Sequence, residues 1–289
     1  MQAKALRVMV TGSNKGIGYG IIEAALIHSQ HGGPQYHLIM TARDVKLGHE
    51  AVNKLKQQYP QAHVELLQLD IAKPESIEQA VEALKKSGPI DILVNNAGWA
   101  GKGADPTTEE LIQKTIGINY FGTRALNDAI LKANLINDNG RIINVSSCCA
   151  LFRLNSKMDK ADLEKLRTYK SGQSYQEFSS LAEDIFARLK KDSRDEAKKD
   201  VMPNIYCCSK LLLSIYTYYL SREAEIQKRN IQVYSCHPGI VKTDMNPRGS
   251  LTYLEGADRV YHLLLLKPEI DASKQGEYFN DNKQLESLY

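Results

Sequence analysis

Tyr206 and Lys210, in the stretch NIYCCSKLLL, stand four positions apart. On a helix that spacing puts both on one face, where a phenol and an ammonium can converge. A tyrosine ordinarily keeps its proton to about pH 10 and is a poor proton shuttle at neutrality. A neighbouring cation stabilises the phenolate and lowers that value, which would turn the pair into an acid-base device. Y-x-x-x-K also occurs for purely structural reasons, so the pair needs company. The enclosed Cys207 and Cys208 are expected to point away from the shared face and read as spacers.

A second chemical signal lies near the start. In VMVTGSNKGIGYGI, Gly12, Gly16 and Gly18 follow a strand-like run and open a helix. A chain that must turn tightly and let a pyrophosphate approach backbone N–H groups at a helix N-terminus needs glycine there, although an ordinary tight turn uses glycine too. The spacing is G-x-x-x-G-x-G. It is neither the general G-x-G-x-x-G fingerprint nor a G-x-x-x-x-G-K-S/T phosphate loop, which disfavours nucleotide hydrolysis. Where the second strand ends, an acid would accept the ribose 2′-hydroxyl of NAD, whereas an arginine would accommodate the 2′-phosphate of NADP. The residues are IMTARD, with Arg43 in the key place and Lys15 inside the glycine loop as a second cation. NADP(H) is therefore the expected cofactor, and Asp44 also reads as a helix N-cap. Asp70 in LQLD either meets the adenine amino group or caps its own loop.

These residues have to be positioned by something, and the rest of the chain supplies it. Apolar, β-branched runs alternate with amphipathic windows, the pattern of βαβ units on a parallel sheet. Strands are expected near Leu6–Val10, His37–Thr41, Val64–Leu69, Ile92–Asn95, Arg141–Val145 and Gln232–Cys236, with a short last one near Glu277–Phe279. Helices are expected over Gly18–His28, Lys46–Gln58, Pro74–Lys86, Thr108–Lys132 with a break, Ile205–Gln227 and Glu255–Leu265. The fold class is thus α/β, a Rossmann-type doubly wound parallel sheet of about seven strands. One reductase-like domain over 1–289 is expected, interrupted by a helical insertion at about 152–202. There Leu181, Ile185 and Leu189 mark a thin apolar stripe, and the charges from Lys190 to Asp200 read as a solvated face.

Further motifs stand in order along the chain: NNAG (Asn95–Gly98), Asn119 in INYFGT, INVSS ending at Ser147, then Tyr206 and Lys210, then HPGIVKTDM (His237–Met245). Together with the glycine turn they resemble the short-chain dehydrogenase/reductase superfamily over nearly the whole chain. The resemblance implies that Tyr206 is the general acid that protonates a substrate oxygen while a hydride arrives from the nicotinamide. It implies that Ser147 hydrogen-bonds the same oxygen, that Lys210 holds the nicotinamide ribose and tunes the tyrosine, and that Asn119 anchors a water in the proton relay. Cofactor contacts are implied for Gly12, Asn14, Lys15, Gly16, Ile17, Gly18, Arg43, Asp70, Ile71, Asn96, Ala97, Gly98, Tyr206 and Lys210. Pro238, Gly239, Ile240 and Thr243 would wrap the nicotinamide. Ser147, Trp99, Tyr206 and Ile240 would line the substrate pocket.

Ser147 and Tyr206 are 59 positions apart, a longer gap than most of that superfamily has. The insertion, with TGSNKGIG, TARDV and NYFGTR, is similar to the monomeric cytosolic carbonyl reductases. Plant menthone- and alkaloid-type reductases share it. The implied protein is a cytoplasmic monomer that reduces small-molecule aldehydes, ketones or quinones. Two other readings stay open: a non-catalytic NADP-binding relative, and an NAD-dependent alcohol dehydrogenase working oxidatively. Gly101, Gly103 and Ile240 stand where that branch has larger residues, which would open the pocket wall. His237 and Trp99 are each either pocket groups or loop-packing residues.

Composition agrees with this reading. Formal charge is +3, with 37 basic and 34 acidic residues interleaved, so neither a nucleic-acid stripe nor a membrane partner is expected. Five cysteines, four in the adjacent pairs Cys148–Cys149 and Cys207–Cys208, show neither zinc spacing nor a bridge framework and read as reduced thiols. His28 and His31 read as surface residues and no metal is expected. The N-V-S at Asn144 falls on a strand expected to be buried, against glycosylation. Cys148 and Cys149 adjoin Ser147, so they are either small buried hydrophobes or modifiable thiols beside the site.

Overall fold

Short β-branched runs and amphipathic windows fold in strict alternation through the first half of the chain. A computed structural model describes residues 4–101, 108–152, 158–195, 198, 204–265, 275–279 and 285–286. It opens with β1 (Leu6–Val10), α1 (Gly16–Gln30), β2 (Tyr36–Ala42), α2 (Val45–Gln58), β3 (His63–Gln68), α3 (Pro74–Ser87) and β4 (Ile90–Asn95). Then come α4 (Glu109–Ile116), one wide π turn over Gly117–Gly122, α5 (Thr123–Lys132) and β5 (Ile136–Val145). The second half holds α6 (Cys149–Phe152), α7 (Lys160–Arg167), α8 (Tyr175–Asp192), α9 (Ile205–Leu220), α10 (Ala224–Lys228), β6 (Gln232–Cys236), α11 (Tyr253–Leu265), β7 (Tyr278–Phe279) and β8 (Leu285–Glu286).

The strands form one sheet in the order β3-β2-β1-β4-β5-β6-β7-β8. Pairings from β3 through β7 are parallel, and β8 adds a short antiparallel edge to β7. The seven expected strands are present, with β8 an eighth of opposite sense. Strand order reverses between β1 and β4, which opens a crevice at their carboxyl ends. Alternation along each strand splits the core in two. Val8, Val10, Leu38, Met40, Val94 and Ile143 face α1, α2 and α11. Met9, Ile39, Leu93 and Ile142 face α3, α5 and α9.

The insertion joins the second of these cores. Leu181, Ile185 and Leu189 are buried as their spacing implied, with Phe178 and Ala182 wholly enclosed beside them. A capping box, Ser174 with Glu177, starts α8, and α8 packs on α4. Within the charged run Lys190 and Arg194 pair with Glu109 of α4, while the Arg194 side chain stays 68% exposed. Residues 153–157, 196–197 and 199–202 of the expected insertion lie outside the described residues, as does Gly103.

Two helices differ from expectation. The long window to Lys132 is not broken but locally widened into the π turn that carries Asn119. The last long window, expected to continue to Gln227, ends at Leu220, and α10 follows separately. Ser221 stops it by bonding its hydroxyl back to the Tyr218 carbonyl at 2.7 Å.

Candidate active site

The glycine turn lies at the carboxyl end of β1, where the crevice opens. Gly12 adopts φ +59°, and a Cβ on it would meet the Ala97 Cα at 3.0 Å. A Cβ on Gly18 would stand 2.5 Å from Asn96 Nδ2 and 2.7 Å from the Gly12 carbonyl oxygen. Glycine here is therefore what lets the turn close on the NNAG segment. Hydroxyls hold the turn's shape: Thr41 Oγ1 accepts from Gly12 N at 3.1 Å, and Ser13 Oγ donates to the Val10 carbonyl at 2.7 Å. Thr11 Oγ1 accepts from both Asn96 N and Ala97 N at 2.9 Å. Asn96 Nδ2 in turn donates to the carbonyls of Thr11 and Gly12. At the start of α1, Lys15 caps without a side-chain hydrogen bond, and no acid occupies the first turn. The turn and the uncapped N–H groups of a 15-residue helix fit a dinucleotide's pyrophosphate.

Beyond β5 and on α9 the three expected catalytic side chains meet. The Ser147 side chain lies near enough to the Tyr206 phenol to favour its ionised form, and both residues are half-buried. Lys210 Nζ lies 5.8 Å from the centre of the Tyr206 ring and donates to the Val145 carbonyl at 2.8 Å. Lys210 is 3% exposed, and burial brings its ammonium down from 10.5 to about 8. Burial likewise raises the Tyr206 phenol above its ordinary value, with Cys149 the next cause, while Ser147 pulls the other way. Desolvation is the largest influence on the phenol here and keeps it protonated. A protonated phenol is the form that a general acid requires.

Asn119 reaches this group by way of the π turn. Its Oδ1 accepts from Trp99 N at 2.7 Å, and its Nδ2 donates to the Trp99 carbonyl and to Ser209 Oγ, both at 2.9 Å. Ser209 Oγ donates to the Tyr206 carbonyl at 2.7 Å. The Asn119 amide therefore ties the NNAG loop to the helix of Tyr206. A widened turn at such a place is a common device at functional sites. Ser146 pins the same helix, bonding the Lys210 carbonyl at 3.0 Å and Ser214 Oγ at 2.7 Å. Behind them lies a buried amide chain, in which Asn95 Nδ2 donates to Asn127 Oδ1 and to Asn144 Oδ1, both at 2.8 Å. Asn144 is fully enclosed, so its N-V-S is closed to glycosylation as expected.

The outer residues divide. Arg43 is exposed directly after β2, and among the described residues no acid pairs with it. Asp44 caps α2, accepting from Leu47 N at 3.0 Å, which is the N-cap reading. Asp70 Oδ1 accepts from Ala72 N at 3.1 Å, the loop-capping reading, and Ile71 is buried beneath it. Lys15 pairs with Asp244 at 2.8 Å, and the Thr243 Cγ2 lies 3.7 Å from where a Cβ on Gly16 would be. Asn14 and Ile17 flank that turn at intermediate exposure, as do Ala97 and Gly98 across the crevice. Gly98 lies close to both Asn119 Oδ1 and Lys210 Nζ. Pro238 is buried, and Gly239 at φ +86° donates its N–H to His237 Nδ1 at 3.1 Å. His237 is itself buried and stacks on Tyr278, so it shapes the loop.

Ile240 is 56% exposed at the rim, and no described contact joins it to Ser147 or Tyr206. Trp99 is half-buried and carries Lys114 over its indole at 5.9 Å. Gly101 has a local reason that differs from opening the pocket: its φ is +67°, and a Cβ would strike Leu111 Cδ1 at 2.2 Å.

The family model for short chain dehydrogenases matches residues 7–157, and the relatives match over nearly everything. Carbonyl reductase (NADPH) 1 of Rattus norvegicus is 32% identical over 288 residues, covering 95% of this chain and 96% of that protein. The chain belongs to the short-chain dehydrogenase family. Carbonyl reductase (NADPH) 3 of Homo sapiens is 32% identical to this short-chain dehydrogenase over 284 residues, 94% of this chain and 95% of that one. Among solved structures, salutaridine reductase from Papaver somniferum superposes with a TM-score of 0.77 at 28% identity, covering 96% of this chain and 99% of that one. The NADPH-bound carbonyl reductase from chicken fatty liver shares the fold, with a TM-score of 0.68 at 23% identity and coverage of 99% and 100%.

In this short-chain dehydrogenase the sequence reading missed the positioning hydroxyls Thr11, Ser13, Thr41, Ser146 and Ser209. Their only signal is adjacency to motif residues, which does not separate a hydroxyl that holds backbone from one that faces water.

Proposed function

We propose that this chain reduces small aldehydes, ketones or quinones to alcohols with NADPH, Tyr206 acting as the general acid. The reading rests above all on one observation, the convergence of the Ser147 side chain and the Lys210 ammonium on the Tyr206 phenol. Two relatives that it matches along almost their whole length are named as NADPH carbonyl reductases. When bound, NADPH supplies the hydride and the oxidation-reduction chemistry. The chain's own residues do the rest. Ser147 and Tyr206 present two hydroxyls to one substrate oxygen, and Tyr206 gives it a proton as charge develops there. Lys210 holds the ribose next to the nicotinamide and supports return of the proton. Asn119 keeps Trp99 and the Tyr206 helix in register, and holds the water through which that proton is replaced.

Gly12, Gly16 and Gly18 hold the pyrophosphate, and Arg43 with Lys15 holds the 2′-phosphate. Asp244 competes for Lys15, since the two already pair at an exposed site. Exposed pairs are worth about 0–1 kcal/mol, so Asp244→Asn is expected to tighten NADPH binding by about two- to fivefold. NADH binding stays unchanged in the same fluorescence titration. Equal effects on both dinucleotides would remove Lys15 from the 2′-phosphate.

Burial of Lys210 carries a stability signature. Its folded value of about 8 lies below its ordinary 10.5, so between those values the unfolded chain binds more protons and stability rises with pH. Melting temperatures of the wild type and Lys210→Met, without dinucleotide, are expected to show the wild type gaining on the variant across that window. A constant difference would mean that Lys210 is not charged and desolvated at neutrality.

The monomeric reading is supported by α8, which packs on α4 and stacks Phe178 on Tyr219 of α9, covering that helix face. Among the described residues no helix is long and apolar enough to cross a membrane. The decisive assay is loss of the reduced-nicotinamide absorbance with a quinone or aromatic aldehyde. Tight NADPH binding without oxidation across such a panel would favour the non-catalytic reading.

A further inference from the structure

Three of the five cysteines are sealed in the core: Cys207, Cys208 and Cys236 are 2%, 0% and 2% exposed. Cys148 and Cys149 are different. Both are half-buried, and they follow Ser147 directly. Cys149 N–H points to Ser147 Oγ at 3.4 Å and opens α6, which packs against α9, the helix of Tyr206 and Lys210. Both thiols stand close enough to the Tyr206 hydroxyl to act on it, and Cys149 acts on the Lys210 ammonium as well. The proposed reduction uses neither.

We infer that Cys148 and Cys149 form a covalent-modification site at the mouth of the catalytic group, open to soft electrophiles of the α,β-unsaturated carbonyl class, and that an adduct there stops turnover. The reacting species is a thiolate, which a neighbouring ammonium stabilises. The sulfur adds to the β-carbon of the electrophile. The S–C bond forms, the C=C π bond breaks, and the thiol proton ends on the α-carbon. No oxidant, reductant or second reactant is consumed. The adduct stands beside Ser147 Oγ, so it crowds the hydroxyl pair that has to share one substrate oxygen. Conjugated carbonyl compounds would then serve the enzyme as substrates at C=O and inactivate it at C=C. That consequence rests on the proposed function; the thiol site does not.

The test is brief treatment of the native protein with limiting N-ethylmaleimide, followed by peptide mass mapping and the NADPH-linked assay. Labelling is expected at Cys148 or Cys149 about tenfold or more faster than at the three sealed thiols, as access dictates. Activity should fall in step with it. The Cys148→Ser/Cys149→Ser double variant should keep its own untreated activity through the same exposure, and the single variants give the same reading should the double variant not fold. First labelling at Cys207, Cys208 or Cys236 would overturn the proposal. So would full activity on a protein labelled at both residues, or equal inactivation of the serine variants. Labelling order needs no turnover, so a protein labelled at Cys148 or Cys149 that reduces no carbonyl untreated refutes the function and leaves the site standing.

Discussion

Replacing Tyr206 with phenylalanine is expected to lower kcat/KM for carbonyl reduction by about a thousandfold, within the range usual for loss of a positioned general acid. The change removes one oxygen and keeps the ring, so the helix of Tyr206 should survive it. Asn119, Ser209 and Ser146 hold that helix through its backbone and neighbouring side chains, not through the phenol. The glycine turn that would bind NADPH belongs to β1 and α1 and has no bond to Tyr206. NADPH affinity should therefore stay within about twofold while the proton-transfer step collapses, a loss in kcat and not in binding. Steady-state kinetics and fluorescence titration on the same preparation separate the two. The direction also follows from the phenol's environment. Burial raises it, so wild-type Tyr206 holds a proton to give at neutral pH, and phenylalanine has none.

Arg43→Ala should act on the other half of the reaction. Arg43 follows β2 immediately, two residues after Thr41, whose hydroxyl accepts from the Gly12 N–H. A cation so placed lies next to the pyrophosphate turn and is exposed to meet a 2′-phosphate. Hydrogen bonds to a charged partner are worth about 1.5–3 kcal/mol, so NADPH affinity is expected to fall by about ten- to a hundredfold. NADH affinity should be unaffected, and the NADPH preference should also weaken as salt rises. An unchanged preference in the variant would take Arg43 out of the cofactor site. Lys15 is the weaker contributor, because Asp244 already shares its charge.

Much of this site can be read from residue types because its chemistry restricts them. Only glycine permits positions 12 and 18 to approach the NNAG segment so closely, and i, i+4 spacing on a helix brings Tyr206 and Lys210 to one face. Strands β1, β2 and β4 to β6 announce themselves because their buried parts read as apolar runs, as parallel strands covered on both sides do. The features that escaped have no such restriction. β8 is two residues long, too short to carry a pattern. The π turn is a change of hydrogen-bond register, and Gly117 and Gly122 at its ends are compatible with an ordinary helix. Ser146, Ser209 and Thr11 act through hydroxyls whose partners lie far off in sequence. The Lys15–Asp244 pair spans 229 positions, and no local rule links them. The desolvation of Tyr206 is hidden for a related reason: i, i+4 spacing identifies a cation nearby but says nothing of how deeply the ring is buried.

The central claim is that this chain turns over carbonyl compounds with NADPH through Tyr206. Its most direct test follows the reduced-nicotinamide absorbance when NADPH and a quinone or aromatic aldehyde are added to wild type and Tyr206→Phe at equal concentration. Rapid NADPH oxidation by the wild type, about a thousandfold slower in the variant at matched dinucleotide saturation, is the expected result. Equal rates in the two proteins would contradict it.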